Sequence, residues 1–187
     1  MKPLFLLVAL SFLSACRTSL VIPSEITIIP VEKQHQAGVQ GPNFQGNLFK
    51  ASYPKANFYH AFDSVSRFTP TQNDLAAAET ILNSYLRNKN RLNLHGRPTI
   101  TYGNLPNYFR QYVGFVNNKD ERIISINFYW NQRSISQKLY DYSIDSDSRL
   151  NYNSDYTIVL DGGSAYGQAE INLTEGKLIS IGVNGVA

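Results

Sequence analysis

The chain has 187 residues, enough for one domain with a sizeable core and tight for two. Its 17 basic and 14 acidic side chains leave a net charge of +3, too near balance for a nucleic-acid partner, and no basic stripe runs through it. One cysteine, Cys16, excludes an internal disulfide and a thiolate-built metal site.

The first element is a leader. Met1 and Lys2 precede a run that is apolar from Leu4 to Leu13 except for Ser11, which is the anatomy of a secretory signal peptide. The run is too short to span a bilayer, which takes about 20 residues. It ends in Leu13-Ser14-Ala15-Cys16, which resembles the lipobox of bacterial lipoproteins. The resemblance implies cleavage before Cys16, a diacylglycerol on its thiol and acyl chains such as palmitate as the anchor. Each buried methylene contributes about 0.8 kcal/mol, so two or three chains hold where one would not. The alternative is that Cys16 is an h-region residue ahead of an ordinary cleavage. Arg17 stands where an inner-membrane retention signal of the enterobacterial type would carry Asp, which implies export to the outer membrane. Loss of Lys2 with the leader would leave 16 basic and 14 acidic residues, a charge of +2.

Residues 25–29 (EITII) read as a short β segment closed by Pro30. Residues 34–55 are rich in Gly, Gln, Asn and Pro, a composition that reads as a tether or irregular arm, although Phe44, Leu48 and Phe49 could pack. The strongest helix signal follows in RFTPTQNDLAAAETILNSYLRNK. Thr69 is the expected N-cap, with Pro70 at the first helical position and Gln72 completing a capping box. Asp74 and Glu79 lie toward the positive end of the dipole, Arg87 and Lys89 toward the negative end. Leu75, Ala78, Leu82 and Tyr85, with Ile81 and Leu86 beside them, make the apolar stripe. Asn73, Glu79, Thr80 and Asn83 are expected nearer solvent. Replacing a buried Leu82 with Ala should cost roughly 2–5 kcal/mol.

The rest reads as strand. Residues 111–116 (QYVGFV) and 122–130 (RIISINFYW) flank the polar turn Asn117-Asn118-Lys119-Asp120, a β-hairpin pattern with apolar residues on both faces, hence central. After a polar stretch at 131–155, residues 156–160 (YTIVL) read as a strand ending at the Asp161-Gly162-Gly163 turn. From Ala165 to Leu173 the pattern alternates, with Ala165, Gly167, Ala169, Ile171 and Leu173 on one face, an antiparallel signature. Thr174-Glu175-Gly176 then turns the chain into a last strand at 177–183. The expected domains are a leader at 1–15, the lipid-attachment cysteine and irregular arm at 16–56, and one α+β domain at 57–187. That domain is one main helix packed on a curved antiparallel sheet of about four to five strands.

Three stretches carry a wider resemblance: FTPTQNDLAAAETIL, YFRQYVGFVNNKDERIISINFYW and VLDGGSAYGQAEINLTEGKLISIGVNGVA. Together, over residues 67–187, they resemble an uncharacterised family of bacterial lipoproteins, with an FTPT helix, RQYVG and INF strands, an LDGG turn and a C-terminal NG-A. The resemblance implies kinship without an activity. Ala165, Gly167 and Gln168 stand where relatives are often bulkier and more aromatic. The helix-plus-sheet order is also similar to cystatin-like architectures, an analogy of fold alone.

No catalytic constellation is legible. His35, His60 and His95 lack any paired metal-ligand spacing. Asp145-Ser146-Asp147-Ser148 opens like a calcium loop, but Leu150 occupies the glycine position and Tyr156 the terminal Glu. Ser164 follows Gly162 as in a nucleophile elbow, but Tyr166 replaces the second glycine. Arg110, Tyr112 and Trp130 are a candidate recognition patch, the competing reading being that the aromatics are core and Arg110 a satisfied edge residue. Asn127, an amide inside an apolar strand, requires partners if buried. The tyrosines fit either sheet packing or recognition of sugar or protein.

The expectation is therefore an exported, lipid-anchored envelope protein without a cofactor, acting as an interaction module of an inhibitor-like or assembly-accessory kind. Its partners would be the membrane through a lipid on Cys16 and an envelope protein or glycan, with no nucleic acid. The alternatives are a surface glycan-binding lipoprotein and, less favoured, a hydrolase.

Overall fold

The structure, a computed structural model, describes residues 25–58, 61–88, 100–130, 155–159 and 161–185. Eight strands form one mixed sheet. They are β1 (Thr27–Pro30), β2 (Gln36–Gln40), β3 (Gln45–Phe49), β4 (Ser66–Phe68), β5 (Tyr108–Val116), β6 (Arg122–Trp130), β7 (Tyr166–Asn172) and β8 (Lys177–Val183). Helix α1 (Gln72–Asn88) connects β4 to the second half of the chain. The main path runs β1-β2-β3-β5-β6-β7-β8. β3 lies parallel to β5 along Arg110 to Val113, and β4 takes over the same edge antiparallel along Gly114 to Val116.

This corrects the expected antiparallel sheet of four to five strands and the cystatin-like arrangement. The molecule remains α+β, but the sheet has eight strands and a parallel join. The difference arises in the stretch read as an irregular arm. Residues 36–49 form β2 and β3, buried along nearly their whole length, so the sheet crosses the expected boundary at residue 56. Composition misled because its small and amide residues are interior residues of a two-sided sheet. A Cβ on Gly46 would lie 2.4 Å from the Arg110 carbonyl oxygen, so glycine lets β3 approach β5. The expected strand at 156–160 is also corrected, since residues 155–159 pair with no strand.

The central hairpin, the alternating β7 and the terminal β8 form as expected. Gly162 and Gly163 turn the chain with positive φ, 92° and 56°. The cap of helix α1 is Thr71, two residues after the expected Thr69, and the helix starts at Gln72. The reciprocal box is Thr71 with Asp74: the Asp74 N–H donates to Thr71 Oγ1 at 3.2 Å, and the Thr71 N–H donates to Asp74 Oδ2 at 2.8 Å. Asp74 wins because its carboxylate also pairs with Arg122 at 2.8 Å. Thr69 Oγ1 instead accepts the Ala51 N–H at 3.0 Å.

Each face of the sheet carries its own core. On one face α1 lays Leu75, Ala78, Leu82 and Leu86 over Tyr112, Ile124, Ile126, Phe128, Ala169 and Ile171. On the other, Phe49, Tyr53, Phe58, Phe62, Val113, Phe115, Ile123 and Tyr156 form an aromatic cluster of mostly edge-to-face rings.

A candidate binding cleft beside a buried ion pair

The helix face contains a charge where the sequence pattern suggested solvent. Glu79 is 1% exposed, a correction to its expected place on the outer side of α1. Residues 75, 79, 82 and 86 form one row along the helix, and all four are buried. Glu79 meets Arg110 and Tyr112, successive inward residues of β5. Arg110 Nε lies 2.9 Å from Glu79 Oε1, and the Tyr112 hydroxyl donates to the same oxygen at 2.7 Å.

Three elements hold Arg110, itself 1% exposed. Its Nη atoms donate to the carbonyls of Tyr108 at 3.2 Å and Leu105 at 3.3 Å. Its guanidinium carbon sits 3.8 Å from the centroid of the Phe44 ring, a cation–π contact from the β2–β3 turn. The contact with Glu79 is ionic; the Nε–H lacks hydrogen-bond geometry. Burial, and then the Glu79 carboxylate, push the Tyr112 hydroxyl well above its ordinary range, so it stays a donor.

Above this pair lies a cleft of about 420 Å³. Its walls are Asn43 and Phe44 of the β2–β3 turn, Thr80, Asn83, Ser84 and Arg87 of α1, and Tyr102. Two smaller hollows of about 210 and 200 Å³ adjoin it, and Asn43 lines all three. The walls are preorganised. A Cβ at Gly41 would lie 2.2 Å from the Phe44 ring, so glycine admits the ring that covers Arg110. Asn83 Nδ2 donates to the Glu79 carbonyl at 2.7 Å. The loop carrying Tyr102 is closed by Thr101 and Asn104, whose Oδ1 accepts the Thr101 N–H at 2.8 Å and hydroxyl at 2.9 Å.

Tyr102 is 42% exposed, one of two exposed large apolar side chains among the described residues; the other is Ile179 of β8. Sugar-sized and drug-sized ligands use clefts of this size. Among the described residues the lining offers amides and hydroxyls that donate and accept, an aromatic face and an exposed cation. Among the described residues no three of His, Cys, Asp and Glu come together as metal ligands.

The proposed patch of Arg110, Tyr112 and Trp130 is not an exposed surface. All three side chains point to the helix face, where Arg110 and Tyr112 are buried and Trp130 packs edge-to-face on Tyr108 at 4.9 Å. Asn127 is a structural partner on the opposite face: its Nδ2 donates to Gln111 Oε1 at 3.0 Å and to the Thr157 carbonyl at 2.6 Å. Ser164 is buried in the glycine turn, and its carbonyl accepts the Tyr108 hydroxyl at 2.7 Å. His35 Nδ1 hydrogen-bonds Ser52 Oγ at 3.0 Å. Cys16, His60, His95 and the acidic run at 145–148 lie outside the described residues.

Sequence reasoning missed Glu79, Asn43 and Tyr102. A signal for the first existed: an acid in the apolar row 75-79-82-86 and a base in the apolar strand YFRQYVGF are complementary irregularities. No protein-family model, curated protein or solved structure matches this chain.

Proposed function

We propose that the chain is a lipid-anchored cell-envelope protein whose domain is a binding module, and that the cleft over the Glu79–Arg110 pair takes a surface or cell-wall glycan. The leader and Leu13-Ser14-Ala15-Cys16 support the anchor. One observation carries the glycan: a concave site lined by Asn43, Thr80, Asn83 and Ser84 beside the exposed ring of Tyr102. Sugar hydroxyls need partners that both donate and accept, and a sugar ring needs an apolar plate; this wall supplies both. An inhibitor-like protein contact would instead use a broad apolar surface.

The test is binding of labelled envelope glycans to the full chain purified in detergent. Retention that falls about 10-fold or more in Tyr102→Ala supports the reading. Retention of no glycan, or retention indifferent to Tyr102, contradicts it. For the anchor, Cys16→Ser should shift the chain from the detergent-extracted membrane fraction to a soluble or unprocessed form.

A further inference from the structure

Arg87 gives the cleft a charge that its interior lacks. Glu79 is the one carboxylate lining the cleft among the described residues, and it is committed to Arg110 and Tyr112 below. Arg87 stands exposed at the last turn of α1 and meets no carboxylate among the described residues. Its Nη2 donates to the Tyr102 hydroxyl at 2.7 Å, and its guanidinium carbon lies 4.8 Å from the Tyr102 ring centroid. One aromatic neighbour thus restrains the guanidinium while its other N–H groups have no partner among the described residues. A restrained guanidinium with free donors is a receptor for an anion, and for a carboxylate it offers two parallel hydrogen bonds.

The other walls define the remainder of the ligand. Asn43 lies across from the α1 side chains Asn83 and Ser84, so hydroxyl-binding groups flank the cleft on two sides. A small inorganic anion would leave those groups unused, whereas a neutral sugar would leave Arg87 unused. We infer that the cleft is selective for an acidic saccharide, its carboxylate on Arg87 and its hydroxyls on Asn43, Asn83 and Ser84. This rests on reading the cleft as a glycan site.

The full chain, purified in detergent, is titrated calorimetrically with two disaccharides: a neutral one of N-acetylglucosamine and one containing a glucuronic acid. The carboxylated sugar should bind about 10-fold tighter or more, the gain from a hydrogen bond to a charged group. Arg87→Gln should bring the two affinities together, and added salt should narrow the gap in the unaltered chain. Arg87 is exposed, and an unchanged thermal midpoint establishes that the variant is folded. Equal binding of both sugars, or a preference that survives Arg87→Gln, overturns the acidic class and leaves the glycan site standing. Absence of heat with both sugars at millimolar concentration overturns the inference and the glycan reading together.

Discussion

The two faces of the sheet bury polar groups in different ways. On the helix face, one carboxylate from α1 meets one guanidinium from β5, and Phe44 closes over the pair. On the other face, Asn47, Gln111, Asn127 and Gln168 stand in register across β3, β5, β6 and β7. The middle of this amide row holds the segment 155–157. Gln111 Nε2 donates to the Asp155 carbonyl at 2.9 Å, and the Thr157 N–H donates to Gln111 Oε1 at 3.0 Å. Asn127 Nδ2 adds its bond to the Thr157 carbonyl, so two side-chain amides replace a neighbouring strand for that segment. The lesson concerns exchangeability. A buried charge is satisfied only by its own counter-charge, so the helix face is fixed. Amides accept any peptide group or water, so the segment 155–157, a strap across the amide row, is the more easily released.

The largest effect should come from splitting the charge pair. Glu79→Gln leaves Arg110 charged and uncompensated in the core and should lower unfolding stability in urea by about 3–5 kcal/mol. The Glu79→Leu/Arg110→Met double variant should recover much of that loss, because two apolar groups replace both charges. A double variant as unstable as the single one would show that the pair itself adds net stability.

A smaller effect is expected on the amide face. Gln111→Leu removes both bonds to residues 155 and 157 and should cost about 1–3 kcal/mol. The comparison predicts more than a number here: hydrogen exchange at Thr157 should accelerate beyond what the global loss explains, while α1 keeps its relative protection. Uniform acceleration over both faces would mean that the strap is no separate unit.

The smallest effect concerns pH at the helix start. Burial raises the Asp74 carboxyl, but bonds from the Thr71 backbone and Arg122 outweigh it and hold it below the usual range. A carboxyl lowered by folding stabilises above its unfolded pKa of about 3.9, and that contribution disappears as pH falls through the folded value. Asp74→Asn should therefore cost about 1 kcal/mol at pH 7, with Arg122 half exposed, and the gap should close below about pH 4. A gap independent of pH would remove the ionic part of the argument.

Much of the second half of the chain was legible because its signals are local. Alternation from Ala165 to Leu173 needs only one buried face, and the turn at Asn117 to Asp120 needs only a tight polar link. The first half was not legible in this way. In QAGVQ and QGNLF the face opposite Ala37, Val39 and Leu48 is buried largely through amides and glycine, Gln36 and Asn47 among them, so glycine and amide content imitates a linker. The site was hidden for a related reason. Glu79 and Arg110 become intelligible only when α1 and β5 are brought together, and Asn43 and Tyr102 lie in turns whose approach to α1 has no sequence period. Asn127 announced that it needed partners, but which ones depended on register.

The central claim is that ligand enters the helix-side cleft rather than the amide face. The most direct measurement is the amide NMR spectrum of the full chain in detergent during titration with the carboxylated disaccharide. The account predicts shifts concentrated at Asn43, Asn83, Ser84, Arg87 and Tyr102, with Thr157 and Gln168 unmoved. Shifts centred on Thr157 and Gln168, with the cleft unmoved, would contradict it.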